Sequence, residues 1–154
     1  MQSRKLKYHE LLCRFTNCPP DIYTDIDSFR WVFKDNLLKS FIPLNLIKEP
    51  PQRMLDETDN LCKGYGLSFF NSFENCYGRY KSFYKKKRNL SHLDFISEKG
   101  NSIAELNLDE NEGIYGDLNT LNGHYTFHEF EEINLSEKIV NIVEIFDGNG
   151  NFNR

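Results

Sequence analysis

Between Phe73 and Tyr84 the residues Phe73, Cys76, Tyr77, Tyr80, Phe83 and Tyr84 recur at i, i+3, i+4, i+7, i+10 and i+11, a spacing that only a helix gathers onto one face. Ser72 precedes the run, and its hydroxyl can accept from a backbone N–H of the first turn. The pattern predicts a helix from Ser72 to about Arg88. So wide an aromatic stripe has to be covered, and a sheet is the surface that can cover it. The polar side carries Arg79, Lys81 and Lys85, and Lys86-Lys87-Arg88 falls in the last turn, where cations complement the helix dipole.

Sheet-forming segments lie on either side. Ser28 to Phe33 alternates, placing Phe29, Trp31 and Phe33 on one face and Arg30 on the other, and Tyr65 to Phe70 reads as a second strand between Gly64 and Asn71-Ser72. After Ser91 four short strands are expected, around Leu93–Ile96, Ile103–Leu108, Tyr125–Phe130 and Ile139–Phe146. A mobile acidic loop is expected over 109–123. In the first third, Leu6, Leu11, Leu12 and Phe15 suggest a short helix that ends before Pro19-Pro20. Asp35 or Asn36 can cap another through Ile42, and 47–60 reads as a surface connection.

At 154 residues the chain suits one domain, with 1–27 as an N-terminal helical arm and 148–154 as a frayed tail. The expected class is α+β, with a split, largely antiparallel sheet and helices mainly in the N-terminal half. No regular βαβ alternation or Gly-rich phosphate loop is present. No stretch reaches the ~20 apolar residues of a membrane span, and the charged start lacks a signal-peptide core, so a cytoplasmic protein is expected. Cys13, Cys18, Cys62 and Cys76 are then four free thiols.

Net charge is −4, but six positive charges and no negative ones fall within Arg79 to Arg88. From Asp94 to Asp147 thirteen acidic residues face Lys99 and Lys138 alone. The basic segment can balance this acidic half, or it can track a nucleic-acid backbone through Arg79, Lys81, Lys85, Lys86, Lys87 and Arg88. The acidic half can equally serve as an interface for a protein partner. His124 and His128, four apart on a strand, are roughly 13 Å apart by the usual rise, too far to share one ion. No metal is therefore expected. His128 has the chemistry of a general acid or base.

The run Gly64-Tyr65-Gly66-Leu67-Ser68-Phe69-Phe70-Asn71-Ser72, followed by a helix with Cys76, Tyr77 and Tyr80, resembles the ADP-ribosyltransferase superfamily and the related NAD-degrading domains of the RES type. One class of that superfamily uses an Arg on an early strand, a Ser on a middle strand and a late Glu-x-Glu, which fall here on Arg30, Ser68 and Glu129-Phe130-Glu131. The resemblance implies a split sheet and NAD as substrate, in a toxin or defence setting. It places Arg30 on the pyrophosphate, Tyr65 or Phe69 against nicotinamide, Ser68 as an orienting hydroxyl, and Glu131 or Glu129 as the carboxylate. That carboxylate would stabilise the oxocarbenium-like centre that forms as the glycosidic bond breaks. The alternative function is a non-enzymatic protein-binding module.

Overall fold

A computed structural model describes residues 5–12, 26–48, 62–87 and 89–153. Cys13, Cys18, Arg88 and most of the 47–60 connection lie outside them. The fold is α+β. Its strands are β1 (Ser28–Val32), β2 (Leu67–Phe70), β3 (Ser102–Leu106), β4 (Gly113–Tyr115), β5 (His124–Glu129) and β6 (Ile139–Glu144). They form one six-stranded sheet in the order β4-β5-β2-β1-β3-β6, with every neighbouring pair antiparallel. The described helices are α1 (His9–Leu12), α2 (Leu44–Ile47), α3 (Phe73–Lys85) and α4 (His92–Lys99). None is long and apolar enough to cross a membrane.

Alternation sorts the strand residues onto two faces. On one face Val32, Leu67, Phe69, Ala104, Leu106, Tyr115, Tyr125 and Phe127 form a core closed by Ile26, Phe41 and Leu135. On the other, Phe29, Trp31, Phe70 and Ile103 receive α3 and α4. Ser72 caps α3 as expected, its Oγ accepting from Asn75 N at 3.1 Å. The stripe then lands on the sheet. Tyr80 is fully buried, donates to the Gly100 carbonyl at 2.6 Å, and stands edge-on to Trp31 and Phe95, each at 5.3 Å. Trp31 Nε1 donates to the Cys76 carbonyl at 2.9 Å, fixing helix to strand.

The structure departs from the sequence reading in several places. Leu93–Ile96 lies in helix α4, because Ser91 Oγ accepts from Asp94 N and caps the segment. Gly100 ends it at φ +97°, where an added Cβ would also lie 2.6 Å from the Val32 carbonyl oxygen. Among the described residues the helices are therefore not concentrated in the N-terminal half. The 109–123 loop holds strand β4, anchored by the fully buried Tyr115 and paired with β5. Over 35–42 a three-ten turn, Lys39–Phe41, replaces the expected helix, although Asn36 Oδ1 does accept from Lys39 N. In the tail expected to fray, Phe152 bridges Phe146 and stacks on it at 5.0 Å.

The N-terminal segment also docks: Leu6 bridges Phe130, and Lys7 Nζ pairs with buried Glu129 at 2.9 Å. Cys62 is disulfide-bonded, its partner lying outside the described residues, while Cys76 is a buried free thiol. Four free thiols are thus not what the fold holds, because spacing along the chain does not show which cysteines folding brings together. A disulfide is reduced in most cytosols, so the cysteines no longer argue for a cytoplasmic setting.

Truncating Tyr80 removes the ring at the centre of the α3–sheet contact. Tyr80→Ala is expected to cost about 3 to 5 kcal/mol in urea denaturation. A variant with unchanged stability would mean that this stripe is not the core.

Candidate functional site

β1 and β2 meet at a single register pair, Phe29 opposite Phe70, and the ladder stops there. Beyond that pair the Ser68 carbonyl has no β1 partner, and the side chain of Arg30 supplies one. Its guanidinium donates to Ser68 O at 2.8 Å and to Ser40 O at 2.9 Å. The rings of Phe41 and Phe69 lie 5.9 and 5.8 Å from it. This desolvation lowers the Arg30 pKa to about 10, which still leaves it charged at neutral pH.

A cavity of about 490 Å³ opens at this seam. Arg30 lines it from β1, Ser68 from β2, and His124 and Thr126 from β5. Arg79 and Phe83 of α3, Lys99 of α4, Lys39, and Lys63 just before β2 complete its charged and aromatic lining, and Ile42, Leu44 and Ile47 add an apolar margin. Five cations are set there against one carboxylate among the described residues, Glu98. Arg79 and Lys99 sit over the Phe83 ring at 4.5 and 5.8 Å, and Lys39 over Phe33 at 4.5 Å. A ring face attracts a cation without cancelling its charge.

Ser68 lies opposite Thr126 in the ladder, and His124 is the diagonal neighbour two residues along β5. His124 Nε2 is 3.0 Å from Ser68 Oγ. Partial burial depresses the His124 pKa, and the charges of Lys63, Arg79 and Arg30 add to that, so the ring is neutral at neutral pH. The expected facing of Arg30, opposite Phe29 and Trp31, is what the structure has, and Arg30 and Ser68 meet in one cleft.

The other predicted site residues do not line the cavity, although the Phe69 ring packs against Arg30. Period two along β5 places Glu129 with Tyr125 and Phe127, on the face away from His124 and Thr126. There it is 4% exposed and held by Lys7. Burial raises its pKa while Lys7 opposes the rise. Glu131 lies past the end of β5, exposed, its N–H donating to the Lys5 carbonyl. Phe69 is a fully buried core ring stacked on Tyr125 at 5.9 Å. Tyr65 is half-buried in the turn before β2 and does not line the cavity.

Sequence reasoning missed His124, Lys63 and Lys99 as site residues and did not connect Arg79 with Arg30. The available signal was the period-two facing of His124 and Thr126 together with Ser68, but their meeting depends on strand order. His128 proves structural. It is 3% exposed, its Nε2 donates to the Cys62 carbonyl at 3.3 Å, and Gly66 packs so closely that an added Cβ would lie 2.8 Å from the imidazole. No cluster of three or more metal-ligating side chains occurs among the described residues.

The basic helix contributes Arg79 to the cleft, while Lys81 covers Tyr77 at 4.9 Å and Lys87 covers Tyr84 at 4.0 Å. Rings that would stack on nucleic-acid bases thus lie under their own cations. Comparison of the chain with protein-family models, curated proteins and solved structures finds no match.

Two outcomes follow from this geometry. Arg30→Lys should lose about 2 kcal/mol or more of stability, since one ammonium cannot reproduce the guanidinium fork to two carbonyls. Arg79→Ala should change stability by less than about 1 kcal/mol. Equal losses in denaturant titrations of the two variants would refute this division.

Burial lowers the His128 pKa from 6.5 to about 4. Between those values the unfolded chain binds a proton that the folded one does not, so stability falls as pH drops, by about 3 kcal/mol in all. In His128→Gln, which keeps a donor for the Cys62 carbonyl, that part of the pH dependence should vanish.

Proposed function

We propose that the seam cleft binds a phosphate-bearing small molecule of nucleotide size, and that the protein is a ligand-binding domain built around it. The observation that carries this is the cavity itself: Arg30, Lys39, Lys63, Arg79 and Lys99 against Glu98, with the rings of Trp31, Phe33, Phe70 and Phe83 alongside. Cations recognise the phosphates, and the aromatic and aliphatic margin accepts a planar base. NAD, the substrate implied by the resemblance to ADP-ribosyltransferases, belongs to this class. The meeting of Arg30 and Ser68 supports it.

Binding is better supported than bond cleavage. Breaking the nicotinamide bond calls for a carboxylate beside the developing oxocarbenium ion, and Glu98, rather than Glu129 or Glu131, is the carboxylate lining the cleft. Arg30 spends donors on two protein carbonyls, which leaves Arg79 and Lys63 as the principal phosphate contacts.

Calorimetry and thermal denaturation with NAD, ADP and adenosine test the reading. NAD and ADP should bind and raise the Tm, and adenosine should do so less. Arg79→Ala should weaken phosphate-ligand binding by about 1.5 to 3 kcal/mol, whereas Glu131→Gln should leave it unchanged. A parallel nicotinamide-release assay separates binding from turnover. If neither NAD nor ADP binds at millimolar concentration, the cleft reading fails and a protein-interaction module takes its place.

A further inference from the structure

Resting on the reading of the seam cleft as an anion site, we propose that Ser68 and His124 form a proton-coupled subsite: the cleft takes up a ligand bearing at least two negative charges, a phosphate or sulfate group, together with one proton held on His124. The pair faces the cavity, Ser68 exposed and His124 half-buried, with Nε2 and Oγ 3.0 Å apart. Ser68 and His124 stand opposite Thr126 and Phe70 in the β2–β5 register, which is a pairing of backbones and needs neither side chain.

The groups that face the imidazole are Lys63 before β2, Arg79 on α3, Arg30 on β1, the Ser68 hydroxyl on β2, and the Phe70 ring, edge-on at 5.5 Å. Lys39, Lys99 and Glu98 line the same cavity. The three cations nearest the ring and its partial burial hold His124 neutral while the cleft is empty. A dianion seated among those cations reverses the local potential, and the charged imidazolium then becomes the favoured form.

The hydrogen bond changes direction with the proton. With its single proton on Nδ1, the neutral imidazole accepts at Nε2 from the Ser68 hydroxyl, and this keeps that hydrogen out of the cavity. Once protonated, Nε2–H donates to Ser68 Oγ, and the hydroxyl hydrogen turns toward the ligand. One proton thus adds a positive charge and a donor together. A ligand with a single charge draws less on the imidazolium, so the pair favours dianions over monoanions.

Histidine NMR titrations of the whole protein in sodium sulfate, against sodium chloride at equal ionic strength, test this, since sulfate keeps both charges over roughly pH 5 to 8. The His124 midpoint, assigned with His124→Gln, should rise in sulfate by about one pH unit or more. Arg79→Ala should abolish the rise and Ser68→Ala should reduce it. In His124→Gln, sulfate affinity should no longer vary with pH. If sulfate moves the backbone amides of Ser68 and Thr126 but leaves the His124 midpoint unchanged, the proton-coupled subsite is refuted and the anion cleft stands. If sulfate moves neither the amides nor the imidazole, both are refuted.

Discussion

The guanidinium of Arg30 joins two halves of a sheet that the backbone holds together at one point. β4, β5 and β2 form one antiparallel trio and β1, β3 and β6 another, and between the trios the ladder has a single register pair. An antiparallel ladder that stops leaves carbonyls without a strand partner. Arg30 supplies the missing donor to Ser68 and a second to Ser40, with a ring on each side of it. The cleft exists because the strands separate there. The same residue that tolerates the separation also sets the electrostatic sign of the opening.

Around that seam the structure relies on aromatic burial. On the helical face the rings of Trp31, Tyr80, Phe95 and Phe146 meet mostly edge to face, each contact worth about 0.5 to 1.5 kcal/mol beyond the area it buries. Tyr80 and Trp31 also place their polar atoms on backbone carbonyls of Gly100 and Cys76, so neither ring leaves an unsatisfied donor behind. This locks α3 at a fixed height over β1. That height carries Arg79 and Phe83 to the cleft.

Local pattern made much of this legible in the sequence. The α3 stripe, the Ser72 cap, the facing of Arg30 and the strands β1, β2, β3, β5 and β6 follow from periods of 3.6 and 2. Helix α4 is hard to see in the sequence because Phe95 alone is deeply buried along it, so its apolar triplet has a strand's pattern and the Ser91 cap is its one helical mark. Strand β4 was hidden because it is three residues long in an acidic, glycine-containing stretch. The candidate site was legible only in halves. Periodicity tells which face a side chain takes, but not which strands become neighbours. Arg30, Ser68 and Glu129 can therefore all be matched to a motif in chain order, although alternation puts Glu129 on the face of Tyr125 and Phe127, away from Ser68 and His124.

Charge placement, more than charge count, separates cations held by the fold from those open to a ligand. Lys7 faces a buried carboxylate, and removing Lys7 would leave that carboxylate in the interior without its counter-charge, a costly arrangement. Lys34 pairs with Glu144 at the surface, and Lys138 reaches from the surface to the largely buried Glu112. In the cleft, Arg79, Lys99 and Lys39 stand over aromatic rings, and none of them has an ion pair with a described carboxylate. A ring face orients a cation and shields one side of it from water while its full charge remains. The chain as a whole is acidic, at −4, yet among the described residues the place where its sheet opens gathers five cations against the single carboxylate of Glu98.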